Sequence, residues 1–130
     1  MIRTLVAALF AASGAFAEPD PNNGMEVFLN YCAACHGAGA TGDGPMAKLL
    51  TEIPADLTVL AEANDGVFPT FRVVRQIDGR DPLLSHGGDM PLFGDLFSYP
   101  DGSIAAETGQ PIITAQPIAD VAAWLITIQE

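Results

Sequence analysis

The chain has 130 residues, 49% of them hydrophobic, and carries a formal net charge of −11 from 16 acidic and 5 basic side chains. That length is enough for one domain and no more. So acidic a chain disfavours nucleic acid and anionic lipid, which need clustered lysine and arginine; its acidity either favours docking to a basic face on a protein partner or serves solubility alone.

Residues 1–17 read as a secretory signal peptide. Arg3 supplies the positive start, Leu5 to Ala12 form a short apolar stretch, and Ala15-Phe16-Ala17 is a small-x-small cleavage site before Glu18. The apolar stretch is too short to stay in a bilayer as an anchor, and Ser13 and Gly14 break it, which argues against an uncleaved amphipathic anchor. Cleavage leaves residues 18–130 as a single domain, expected to be soluble in the periplasm. Only Lys48, Arg72, Arg75 and Arg80 then remain positive, and loss of Arg3 moves the formal charge from −11 to −12.

The first helix is expected to start near Asn23, with Asn23 as cap and Glu26 closing a capping box, and to carry Val27, Phe28 and Tyr31 on its apolar side. It runs into Cys32-Ala33-Ala34-Cys35-His36, which contains both cysteines of the chain. Two thiols separated by two residues, with a histidine directly after the second, form the attachment signature of c-type haem. One helical turn brings both sulfurs to the same edge of a porphyrin, where each adds to a vinyl group, and the histidine imidazole binds the iron. Three other readings of the pattern carry less weight. A thioredoxin-like dithiol normally sits in a βαβ setting that this chain lacks. A structural zinc site needs a second ligand pair, and His86 is the only other histidine. A plain disulfide leaves the adjoining histidine unexplained.

After the motif, Gly37 to Pro45 is too rich in glycine to continue as helix. A short helix is expected over 45–50, with Pro45 at its first position, and another short one near 57–63. A stronger helix follows Pro69, with Thr70 as cap, Phe71, Val74 and Ile77 on one face and Gly79 as its stop. Residues 80–94 are irregular and contain His86 and Met90. Residues 97–116 are rich in turn formers, with a reversal at Pro100-Asp101-Gly102 and an extended tendency at 112–114. The last helix begins at Pro117, places Asp120 in its first turn against the dipole, and carries Val121, Trp124, Leu125 and Ile128 as an apolar stripe.

Taken together, these elements resemble the class I cytochromes c over nearly all of residues 18–130. Gly24, Phe28 and Cys32 stand at the four-residue steps of that family's first helix, and Trp124 matches the aromatic of its last helix. The resemblance implies an all-α fold of three to five helices packed around one covalently bound haem, with the first and last helices crossing. It implies that Pro45, after the glycine-rich loop, offers its carbonyl to the second N–H of His36. It also implies a methionine ligand before the last helix, commonly followed by proline, which Met90-Pro91 matches. His86, four residues before Met90, is the rival ligand, whereas Met46 reads as core and Met25 as part of the first helix. The connection over 97–116 is longer than a minimal member of the family needs, and the lysine ring by which some mitochondrial-type members recognise their oxidase is absent.

The expected function follows from the ligands. With Cys32 and Cys35 as thioethers and His36 and Met90 on the iron, no position is open to substrate, and a periplasmic one-electron carrier results, free or as a subunit of a respiratory or dehydrogenase complex. The alternative is a haem enzyme or ligand sensor whose distal position is open or displaceable, with His86 and Arg80 as candidate distal groups. A haem-free dithiol oxidoreductase is the third possibility.

Overall fold

Asp20 starts the ordered helical part of the chain. In the computed structural model, which describes residues 16–79 and 90–130, its side chain accepts a hydrogen bond from the Asn22 N–H at 2.9 Å, and Pro21 occupies the first turn of α1 (Pro21–Tyr31). The helix therefore starts two residues before the Asn23 expected from the sequence. The reason is local: an aspartate followed by proline caps better than Asn23. Asn23 is free for another task described below.

Cys32 separates α1 from the four-residue α2 (Ala33–His36). Its N–H donates to Phe28 O, and its carbonyl accepts from the N–H groups of Cys35 and His36 at 3.1 and 2.9 Å. The two short helices expected downstream reduce to single 3-10 turns, Ala47–Leu49 and Glu62–Asn64. Helix α3 (Thr70–Asp78) starts at Pro69 and ends at Gly79, whose left-handed backbone (φ +68°) stops it as expected. Two details of α3 differ from the sequence expectation. Thr70 lies inside the helix and is buried rather than capping it, and Phe71 is 49% exposed, so Val73, Val74 and Ile77 form the inward face.

The fold is mostly helical but not all-α. The connection between the methionine segment and the last helix holds an antiparallel hairpin, β1 (Gly102–Ala105) and β2 (Pro111–Thr114), in the register Gly102↔Thr114, Ser103↔Ile113, Ile104↔Ile112 and Ala105↔Pro111. Ile112, Ile113 and Thr114 favour extended backbone because they are branched at Cβ, and the extended tendency at 112–114 is realised. Gly-Ser-Ile-Ala carries little such signal, and β1 exists because β2 and α4 offer it a partner surface. Ala17 forms a further bridge to Gly102, which ties the start of the described chain to the hairpin.

Helix α4 (Gln116–Thr127) is the centre of the core. Ile118, Ala119, Val121, Ala122, Trp124 and Leu125 are all buried, joined by Phe28 from α1 and by Val73, Val74 and Ile77 from α3. Phe28 and Trp124 meet at 4.6 Å between ring centroids, tilted by 45°. Gly24 of α1 lies directly against the Asp120 carbonyl of α4. Asp120 does not face solvent opposite the helix dipole, as its position in the first turn suggests. It is 2% exposed and accepts three hydrogen bonds, from Asp20 N–H, the Asn23 side-chain amide and the Gln116 side-chain amide.

Candidate functional site

The motif 32–36 occupies the turn where α1 passes into α2, so both thiols arise from adjacent backbone held by α-type hydrogen bonds. Both are free and half-buried. Burial first, and the neighbouring Cys35 second, push the Cys32 thiol up to about 11. A thiol so shifted is protonated at neutral pH and is a weak nucleophile.

The segment after the motif folds back onto it. Gly42 N–H donates to His36 O, Gly44 N–H to Cys35 O, and Met46 N–H to Ala34 O, at 2.8 to 3.1 Å. This return brings residues 54–58 beside the imidazole. His36 Nδ1 lies 3.1 Å from the carbonyl oxygen of Ala55. A carbonyl can only accept, so Nδ1 carries a proton, and the neutral ring with that proton has its lone pair on Nε2. No partner occupies Nε2 among the described residues. The acceptor expected from the sequence, the carbonyl of Pro45, is therefore replaced by that of Ala55. Pro45 is exposed, in the turn that Met46 N–H pins to Ala34.

Met90 is half-buried against the hydrophobic core. The segment that follows it is anchored by Phe93 N–H to Ile77 O and Gly94 N–H to Asp78 O, both at 3.0 Å, which fixes it to the end of α3. Aromatic contacts tie the same segment to the motif. Tyr31, the residue before Cys32, meets Phe97 edge-on at 5.3 Å and Phe93 at 6.4 Å, and Phe93 stacks on Phe97 at 6.1 Å. The described part of the methionine segment and the cysteine motif therefore share one end of α1. His86 and Arg80 lie outside the described residues, as do residues 1–15 of the segment expected to be a signal peptide. Met46, read as core, is 43% exposed, and Met25 lies on α1 as expected.

Two features escaped the sequence reading. Phe97 closes the aromatic group with Tyr31 and Phe93, although no periodic pattern marks it. Asp56 and Thr58 shape the turn beside His36: the Asp56 carboxylate accepts from both the Thr58 N–H at 2.9 Å and the Thr58 hydroxyl at 2.6 Å. The combination of an Asp with a Thr two residues later is the available signal for such a turn.

The cytochrome c family model matches residues 21–129. The chain belongs to the cytochrome c family. No curated protein and no solved structure matches it significantly. Members of this family are generally electron carriers, and membership implies covalently bound haem c. The residues of this cytochrome suit that group: two free thiols on one turn, followed by an imidazole whose Nδ1 is held by Ala55 and whose Nε2 has no partner among the described residues. Its small size fits the monohaem class I cytochromes. Among the described residues no helix is long and apolar enough to cross a membrane.

The turn beside His36 is expected to contribute to the acid sensitivity of the fold. The Thr58 hydroxyl, and then the Thr58 N–H, hold the Asp56 carboxyl below the usual carboxylate range. A carboxyl depressed in the folded state contributes stability that is complete above the unfolded carboxylate pKa, near 4, and is lost as pH falls through the lower folded value. Asp56→Asn is expected to flatten this part of the acid limb in a pH titration of urea stability. An unchanged acid limb would show that Asp56 keeps an ordinary pKa.

Proposed function

We propose that this cytochrome is a periplasmic one-electron carrier with a single haem c attached through Cys32 and Cys35 and with His36 and Met90 as axial ligands. One observation carries the reading. The His36 imidazole is already the right tautomer for a ligand, Nδ1 held by Ala55 O and Nε2 without a partner among the described residues, on the turn that bears both thiols.

Bound haem supplies a one-electron ferric/ferrous couple. The residues supply the rest. Ala55 orients the imidazole and, by drawing on its N–H, makes Nε2 a better donor. The Met90 thioether is a soft ligand that favours the reduced metal and raises the potential. Phe28 and Phe93 are buried and belong to the apolar surroundings that keep water out, whereas Leu92, expected to join them, packs beside Gly79 but is 45% exposed. The raised pKa of Cys32 argues against the dithiol oxidoreductase, since reactive cysteines of that class have lowered values. The acidic surface fits docking to a basic face on a redox partner, at a rate that falls with salt. Export through a signal peptide cleaved after Ala17 places haem attachment on the far side of the membrane.

The test is an optical spectrum of protein matured in a host able to attach haem c. Closed His/Met ligation gives a far-red sulfur-to-iron charge-transfer band in the oxidised form and no change on adding carbon monoxide to the reduced form. Met90→Ala is expected to abolish that band completely, lower the potential and admit carbon monoxide. A high-spin wild-type spectrum that binds carbon monoxide readily would instead establish an enzyme or sensor with an open distal position. Persistence of the band in Met90→Ala would move the sulfur ligand elsewhere.

A further inference from the structure

The Ala55 carbonyl beside His36 belongs to a turn held from several directions. Gly42 lies against the Pro54 carbonyl, where a side chain at position 42 would collide. Leu57 N–H donates to Ala40 O at 2.8 Å. At the far side, Gln129 donates its side-chain amide to Leu57 O at 2.8 Å, and Glu130 N–H donates to Thr58 O at 2.9 Å. Within the turn itself the only side-chain bonds run from Thr58 to Asp56, and Thr58 is 6% exposed. Asp56 directly follows Ala55, so these bonds fix the backbone immediately on the C-terminal side of the peptide that presents the Ala55 oxygen.

We infer that Asp56 is a positioning residue for the proximal imidazole: by accepting from Thr58 N–H and Oγ–H it holds the Ala55 carbonyl on His36 Nδ1 and thereby sets the reduction potential. This rests on His36 being an iron ligand. A hydrogen bond from Nδ1 to a fixed carbonyl makes the imidazole more electron-donating and favours ferric iron. A loosened turn weakens that bond and favours the reduced state.

The experiment measures two quantities in haem-loaded protein: the reduction potential, and the solvent exchange of the His36 Nδ1 proton by NMR of the reduced form. Asp56→Ala is expected to shift the ferrous/ferric equilibrium towards ferrous by about two- to tenfold, the range of one hydrogen bond; the upper end equals about 59 mV for a one-electron couple. The Nδ1 proton is expected to exchange faster. Asp56→Asn retains an oxygen acceptor for Thr58 and is expected to restore most of both properties. An Asn variant as shifted as the Ala variant would overturn the inference, because the loss of charge alone would then account for the effect. Should Asp56→Ala fail to load haem, Thr58→Val decides: a shift towards ferrous with faster Nδ1 exchange supports the positioning role, and no shift overturns it. A wild-type spectrum without low-spin histidine ligation defeats the proposed function and this inference together. A normal wild-type spectrum with unshifted variants defeats the inference alone.

Discussion

Gly24→Ala is expected to destabilise the haem-loaded protein by about 3 kcal/mol or more, lowering its urea midpoint by roughly 1.5 M for a slope near 2 kcal/mol per M. A Cβ at position 24 would overlap the carbonyl carbon and oxygen of Asp120 and approach Val121 N to 2.9 Å. All three are backbone atoms inside a buried helix. They cannot rotate away as a side chain does, so α1 and α4 must separate. Separation opens the contact between Phe28 and Trp124 and the rest of the apolar seam they close. Overpacking ordinarily costs about 1–3 kcal/mol, and a clash between two rigid helices belongs at the upper end or beyond. A midpoint within experimental error of wild type would mean that α1 and α4 do not meet at this glycine.

Asp120→Ala is expected to cost about 3 kcal/mol by the same measurement. Its carboxylate accepts from Asp20 N–H at 2.8 Å, from the Asn23 amide at 2.6 Å and from the Gln116 amide at 2.7 Å. Bonds to a charged acceptor are worth about 1.5–3 kcal/mol each, but they do not add fully here. Asp20 and Asn23 lie in exposed positions where water can reach the abandoned donors. Gln116 is less accessible, and its Oε1 is already buried without a partner among the described residues. Asp120→Asn keeps the shape and two acceptor interactions but sets one amide against the Asn23 amide, so roughly 1–2 kcal/mol is expected. Hydrogen exchange adds a local test: the Asp20 amide should lose protection in Asp120→Ala even where the helices remain folded. Retained protection would show that this carboxylate does not hold the start of α1.

These variants concern residues that a one-dimensional reading treats differently from their neighbours. The family glycine at 24 is recognisable because a fixed four-residue step connects it to Phe28 and Cys32. Asp120 looks like an ordinary first-turn acid, since a favourable dipole position and a buried hydrogen-bond hub use the same residue type. Asn23 misleads for a related reason. Its chemistry suits a helix cap, but Asp20 performs that task, and Asn23 donates to a residue 97 positions away.

What the sequence alone determined is what short-range geometry encodes. The motif Cys32-Ala33-Ala34-Cys35-His36 is legible within five residues, because an attachment signature of two thiols and an adjoining imidazole on one turn is a matter of short-range spacing. The 3.6-residue stripe of α4 and the stop of α3 at Gly79 are equally local. Tertiary structure alone decided the acceptor for His36. Every residue has a carbonyl, so no residue type distinguishes Ala55 from Pro45, and only the path of the chain selects one. It decided the burial of Asp120 and the exposure of Phe71 and Met46, since each depends on which helix arrives opposite. It also produced β1 from a weak sequence, because the hydrogen bonds of a strand belong to its partner and not to itself.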